Sequence, residues 1–157
     1  MNKLPIVIAT SIVRTSGLNE PHGFLYVVDL KTKKVTRTIE WNDPEIDFAG
    51  RGRQQGLRGI AFYNDKIYIG TGFKILEFSK DFDLLASYQN QYLNDIHEMI
   101  VVENQLLVVS SGYDAMIYFD LITKLFTKAY AVDVKDFSFK KNLFYRFFNK
   151  YAPYWLS

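Results

Sequence analysis

The chain of 157 residues contains no cysteine, which excludes disulfides, thiolate zinc sites, iron–sulfur clusters and cysteine nucleophiles. It has only two histidines, His22 and His97, far apart in sequence and so a weak basis for a metal site. No Asn-x-Ser/Thr acceptor occurs, and no apolar run approaches the roughly 20 residues of a membrane span. The opening "MNKLPIVIATSIVRTSG" has one lysine and a short apolar run. Pro5, Thr10 and Ser11 interrupt it, and no small-x-small cleavage site follows, so it does not read as a signal peptide. Gly-x-Ser-x-Gly, Gly-x-Gly-x-x-Gly and P-loop patterns are all missing. "GRGRQQG" (50–56) is a loop with two arginines, without the following helix a phosphate cradle needs. A cytoplasmic location is expected.

What is present favours strands. Aromatics make up 17% of the chain, with 13 Phe and 11 Tyr, and such residues fit pleated, half-buried surfaces. The net charge of +2 is uneven. Lys135, Lys140, Lys141, Arg146 and Lys150 against Asp136 give residues 135–157 a charge of +4, so the first 134 carry −2. The body therefore does not read as a nucleic-acid binder.

An internal repeat organises the chain. "LRGIAFYNDKIYIGTG" (57–72) and "IHEMIVVENQLLVVSS" (96–111) align without a gap at an offset of 39. Asn64-Asp65 and Glu103-Asn104 fall together as polar turns, and Arg58 falls on His97. Each is followed by another alternating run, "KILEFSK" or "MIYFDLI", and then by "LLASY" or "LFTKAY". In the N-terminal segment "PIVIATS", "GFLYVVDL" and "KVTRTIEW" form a further unit that begins inside its second strand. A period near 40 residues with four strands per unit indicates a β-propeller. Strands sandwiched between neighbouring sheets need little polar alternation, as in "LLVVSS" and "IVIA".

The expected fold is all-β: a partial propeller of about three four-stranded blades over residues 1–132. Blade one (4–43) lacks its first strand; blade two is 56–93 and blade three 94–132. Residues 133–157 form an aromatic basic tail or the start of a further blade. In that tail Leu143, Phe144, Phe147, Phe148 and Tyr151 recur at helical spacing, while "NLFYRFF" also matches "QLLVVSS". A membrane-surface helix, a helix capping an exposed blade face and a blade strand remain the alternatives, the membrane reading being the least favoured.

"GLRGIAFYNDKIYIGTG", "YLNDIHEMIVVENQLLVVSSGYDAMIYFDL" and "VVDLKTKKVTRTI" resemble the NHL-type and gluconolactonase-like six-bladed propellers, over roughly residues 4–132. At about half the length of that family, the chain reads as a fragment or half-propeller that self-associates or meets a second half-propeller chain.

The loops leading into each blade's first strand open on one rim. Arg51, Arg53 and Arg58 there are candidates to bind a small anion through the planar guanidinium fork, with Asp95, His97 and Glu98 beside them. The competing reading pairs the arginines with Asp95 and Glu98 or with backbone carbonyls. On a regular strand Asp95 and His97 share one face and Glu98 takes the other. In "SGYDA" Gly112 is expected to take a positive φ and Asp114 to close the turn. The primary expectation is a non-catalytic protein presenting an arginine-bearing rim to a small anionic ligand or a protein partner, without a cofactor. The alternative, implied by the resemblance, is a metal-dependent lactonase-like hydrolase. It would hold a divalent metal on oxygen ligands, with its site completed by another chain or missing blades.

Overall fold

The computed structural model describes residues 6–47, 55–133 and 138–140. Three antiparallel sheets follow one another along the chain. Sheet one is β1 (Ile6–Thr10), β2 (Gly23–Asp29) and β3 (Lys34–Trp41). Sheet two is β4 (Ile60–Tyr63), β5 (Lys66–Gly70), β6 (Lys74–Ser79) and β7 (Leu84–Gln89). Sheet three runs from β8 (Ile96–Val102) through β9 (Gln105–Ser110), β10 (Ala115–Asp120) and β11 (Phe126–Asp133) to β12 (Ser138–Lys140). Each strand pairs with its neighbour in sequence, so every sheet is a meander. β12 is a fifth strand on the outer edge of sheet three, with Ala131 opposite Lys140. Residues 141–157 lie outside the described residues.

Local chemistry sets the turns. The two-residue turns Asn64-Asp65 and Glu103-Asn104 join β4 to β5 and β8 to β9, and their first residues take φ of 52° and 56°. They are structurally equivalent, as the repeat requires. The turn at 111–114 differs from expectation. Ser111–Tyr113 forms a short 3-10 turn, and Asp114, not Gly112, takes the left-handed conformation at φ 48°. Aspartate tolerates that region because its short polar side chain can bond locally.

The sheets stack face to face and make two cores. Leu25, Trp41, Ile67, Ile69, Leu76 and Phe78 fill the space between sheets one and two. Tyr68, Ile75, Ile96, Met99, Leu106, Val108, Ile117 and Phe119 fill the space between sheets two and three. Along β5, Ile67 and Ile69 face one neighbour and Tyr68 the other, so the strand is apolar without alternation. Burial of each such aliphatic side chain contributes about 1.5–3 kcal/mol. The outer strand β3 is exposed along most of its length and carries Lys34 and Arg37, which discourages edge-to-edge pairing.

Ion pairs lock neighbouring sheets together. Lys74 of sheet two reaches Asp43 at 2.7 Å and Glu45 at 2.8 Å, just beyond sheet one. Glu77 of sheet two is buried and meets Lys124 of sheet three at 2.8 Å, Lys66, and the Tyr88 hydroxyl at 2.7 Å. Burial alone would raise the Glu77 carboxyl. The Lys124 ammonium, then Lys66 and Tyr88, more than offset this and bring it down to about 2. Burial and the Glu77 charge together push the Tyr88 phenol up.

Candidate ligand cleft at the inner ends of the sheets

The inner ends of the three sheets enclose an open cleft of about 870 Å³. The end of β1 and the loop after it contribute Thr10, Ser11 and Arg14, the entry to β4 contributes Arg58 and Gly59, and the entry and first residues of β8 contribute Asp95, His97 and Glu98. Hydrogen bonds fix these segments to one another. Leu57 N–H donates to the Ser11 carbonyl at 3.0 Å, Arg58 N–H to the Gly70 carbonyl at 2.8 Å, and Asp95 N–H to the Gly72 carbonyl at 2.7 Å. The Thr10 hydroxyl donates to the Arg58 carbonyl at 2.8 Å.

Four of the rim residues singled out in the sequence, Arg58, Asp95, His97 and Glu98, thus meet in one cleft. Arg51 and Arg53 lie outside the described residues. Arg58 pairs with Asp95 across the boundary of sheets two and three. The Ser111 hydroxyl donates to the same carboxylate at 3.1 Å, and His97 Nε2 lies 3.5 Å from it. Burial pushes the Asp95 carboxyl up, but the Arg58 charge, the Ser111 bond and His97 outweigh it, and it sits below the ordinary carboxylate range.

Glu98 departs from the alternation expected of a strand. Ile96 opposes Ser110 and Met99 opposes Val108, so β8 advances three residues while β9 advances two. This β-bulge keeps Ile96 and Met99 in the core and leaves both His97 and Glu98 exposed to the cleft. The matching position in sheet two is Gly59. A Cβ there would lie 3.0 Å from Met99 N and 3.1 Å from the His97 carbonyl, so the backbones of β4 and β8 come close at the rim.

Sequence reasoning missed Arg14. It lies in the loop between β1 and β2, which has no repeat counterpart, yet it leaves from the end of sheet one that faces Arg58. It is exposed, and no ion pair of Arg14 occurs among the described residues.

The divalent metal implied by the lactonase-like resemblance does not fit these residues. The Asp95 carboxylate is already held by a guanidinium and a serine hydroxyl, and the two carboxylates of the cleft, Asp95 and Glu98, come from one sheet. The other two sheets contribute arginines, whose charge opposes a cation. Among the described residues no group of three His, Asp or Glu side chains is placed to share a metal ion. Among them, too, no helix is long and apolar enough to cross a membrane.

No family model matches the chain, and neither does any curated protein. Solved structures do match in shape. The WD40 domain of Neurospora crassa Pan2 superposes with a TM-score of 0.52 at 13% identity, over 68% of this chain and 31% of that one. Saccharomyces cerevisiae Sqt1 gives 0.53 at 11%, over 68% and 28%. Myxococcus xanthus glutaminyl cyclase gives 0.51 at 10%, over 71% and 43%. The chain therefore spans less than half the length of each of these structures. At such identities the likeness concerns fold alone. With three stacked meander sheets of the same kind, the chain has a β-propeller fold.

Proposed function

We propose that the chain is a non-catalytic propeller arc that binds a small carboxylate in the inner cleft, Arg14 being its principal contact. The NHL-type likeness and a cytoplasmic setting belong to this reading. The observation that carries it is the division of labour between two arginines. Arg58 is engaged with Asp95, whereas Arg14 stands exposed on the same cleft. A guanidinium in that setting offers two parallel donors to a carboxylate. Thr10, Ser11 and His97 supply further polar groups, and Glu98 accepts from hydroxyls. The ligand class is thus a small hydroxycarboxylate, not a fully anionic polyacid.

Isothermal titration with glycolate, malate and gluconate tests the reading. Saturable binding of at least one, weakened tenfold or more by Arg14→Ala, is expected. Absence of binding at 10 mM ligand, a concentration at which about millimolar affinity saturates a site, overturns it. So does binding indifferent to Arg14→Ala.

A further inference from the structure

A second cavity, of about 550 Å³, opens between sheets two and three at the end of the strands opposite to the inner cleft. Hydrogen bonds close the turns around it. The Asp120 carboxylate accepts from the N–H groups of Ile122 at 2.9 Å and Thr123 at 2.8 Å, and Lys124 N–H donates to the Asp120 carbonyl at 2.9 Å. Asn104 ties the two sides together. Its carbonyl accepts from Leu121 N–H at 2.8 Å, and its side-chain oxygen accepts from the Tyr63 hydroxyl at 2.6 Å. The walls are thus set before any ligand arrives, which lowers the cost of binding.

Three donors converge on its floor. Lys66 of β5 and Lys124 of the turn between β10 and β11 reach opposite oxygens of Glu77. An ammonium carries three N–H donors. Lys124 spends one on Glu77 at 2.8 Å and one on the Tyr68 hydroxyl oxygen at 2.6 Å, while Lys66 spends one on Glu77. The Lys124 ammonium also lies 5.1 Å and 5.9 Å from the ring centres of Tyr68 and Tyr88, which helps to hold it in place. Burial would lower this ammonium, but its bonds to Glu77 and Tyr68 outweigh that and keep it above the ordinary lysine range, so it stays charged. Tyr68 is buried and lines the cavity, and its own O–H meets no acceptor among the described residues. Burial outweighs the Lys124 bond and raises this phenol, so it keeps its proton. A buried donor without an acceptor is costly, and an acceptor placed in the cavity relieves it.

The walls are of another kind. Leu85 is 51% exposed and Ile122 is 62% exposed, and both line the cavity with Tyr63. Asp65 and Asp81 line it too and are exposed. These two carboxylates oppose a polyanion such as a di- or triphosphate. A single carboxylate on an apolar body suits both parts: it accepts from the floor and covers Leu85 and Ile122. We propose that this cavity binds an apolar monocarboxylate, a medium-chain or aryl acid, with its carboxylate on Lys66, Lys124 and Tyr68 and its body against Tyr63, Leu85 and Ile122. The site is independent of the inner cleft, since no residue lines both. Its ligand contacts sheets two and three together and therefore strengthens the joint that Glu77 makes between them.

Calorimetric titration of the full chain with octanoate, acetate and octylamine tests this. Octanoate is expected to bind saturably, acetate at least tenfold more weakly, and octylamine not at all. Lys66→Met should weaken octanoate tenfold or more. Because that variant also takes a partner from Glu77, Ile122→Ser at an exposed position is the second variant. It should weaken octanoate threefold or more and leave the melting temperature of the free protein unchanged. Phe62→Ser, in the groove between β1 and sheet two, and Arg14→Ala, in the inner cleft, should leave octanoate binding as it is. No binding at about 10 mM octanoate overturns the proposal. Equal binding of acetate overturns it because the walls are then unused, and equal binding of octylamine because the donors are. Indifference to Lys66→Met or to Ile122→Ser overturns it as well. Loss of binding in Phe62→Ser or Arg14→Ala overturns it and assigns the acid to the groove or to the cleft.

Discussion

Arg58 and Asp95 form an ion pair that bridges sheets two and three at the rim of the cleft, with side chains only 12% and 19% exposed. The pair is held in a fixed frame. Asp95 takes a φ of 55°, its carbonyl accepts from the Ser111 hydroxyl at 2.8 Å, and Thr10 anchors the Arg58 carbonyl from sheet one. All three sheets thus meet at two residues.

Asp95→Asn is expected to destabilise the fold by about 1–2 kcal/mol, between the small worth of a surface pair and the larger loss when a buried pair is broken. Arg58→Met should cost more, because it leaves the Asp95 carboxylate, only 19% exposed, without its cation and puts no donor in its place, whereas an asparagine at 95 still accepts from Arg58. Urea denaturation of both single variants and the double variant checks this. A coupling energy near zero would mean that the pair is incidental to the sheet boundary.

Glu77 gives the fold an acid-sensitive joint. Its carboxyl falls from an ordinary 4.5 to about 2 in the folded chain. A depressed folded pKa stabilises the native state at pH above the unfolded value. That stabilisation is lost as pH drops from about 4.5 to about 2, and it amounts to roughly 3 kcal/mol at about 1.4 kcal/mol per unit. Chemical denaturation at a series of pH values should show this loss. Glu77→Gln should be less stable at pH 7 and should flatten the curve across that interval. An unchanged slope in the variant would assign the acid sensitivity to other carboxylates.

The parts of this fold that were legible in the sequence are those where side chains follow the backbone period. The alignment of 57–72 on 96–111 becomes β4–β5 and β8–β9, with Asn64 and Glu103 in equivalent left-handed turns. Two-sided burial explains the unbroken apolar run of β5. The site was less legible, because it depends on departures from the period. The bulge at His97–Glu98 places both residues on the cleft, and no one-residue rule signals a bulge that inserts a single step. Arg14 was hidden by a loop without a counterpart in the other units. At the 111–114 turn, Asp114 takes the left-handed position that glycine usually fills, at the end of the 3-10 turn Ser111–Tyr113.

Gly23 marks a second close approach, between the sheet-one loop and the entry to sheet two. A Cβ there would lie 2.5 Å from the Ser11 carbonyl oxygen and 2.9 Å from Leu57 N, the two ends of one hydrogen bond. Gly23→Ala must therefore displace backbone, and overpacking of this kind costs about 1–3 kcal/mol. Gly17→Ala is the control: its Cβ would meet only the Glu20 side chain at 3.8 Å. It should change stability by less than about 0.5 kcal/mol. Melting temperatures of the two variants, compared with the parent, decide the matter. Equal values would show that the joint between sheets one and two yields freely.

Charge removal within the cleft distinguishes a binding site from a braced surface. Glu98 lies on the same cleft as Arg14 and has no ion pair among the described residues. Its carboxylate repels an anionic ligand held by Arg14. At a separation of about 6 Å in a water-like dielectric the interaction is about 0.7 kcal/mol, or roughly threefold in affinity. Glu98→Gln should therefore tighten hydroxycarboxylate binding about threefold, while Arg14→Ala weakens it. Since both residues are exposed, the two effects should shrink as salt rises from 10 to 500 mM, because the screening length falls from about 30 Å to only a few ångströms. Parallel titrations at both salt concentrations provide the measurement. If Glu98→Gln instead weakens binding, the bond that the carboxylate accepts from a ligand hydroxyl outweighs its repulsion of the ligand's charge. Glycolate, with its single hydroxyl, should then lose less than gluconate.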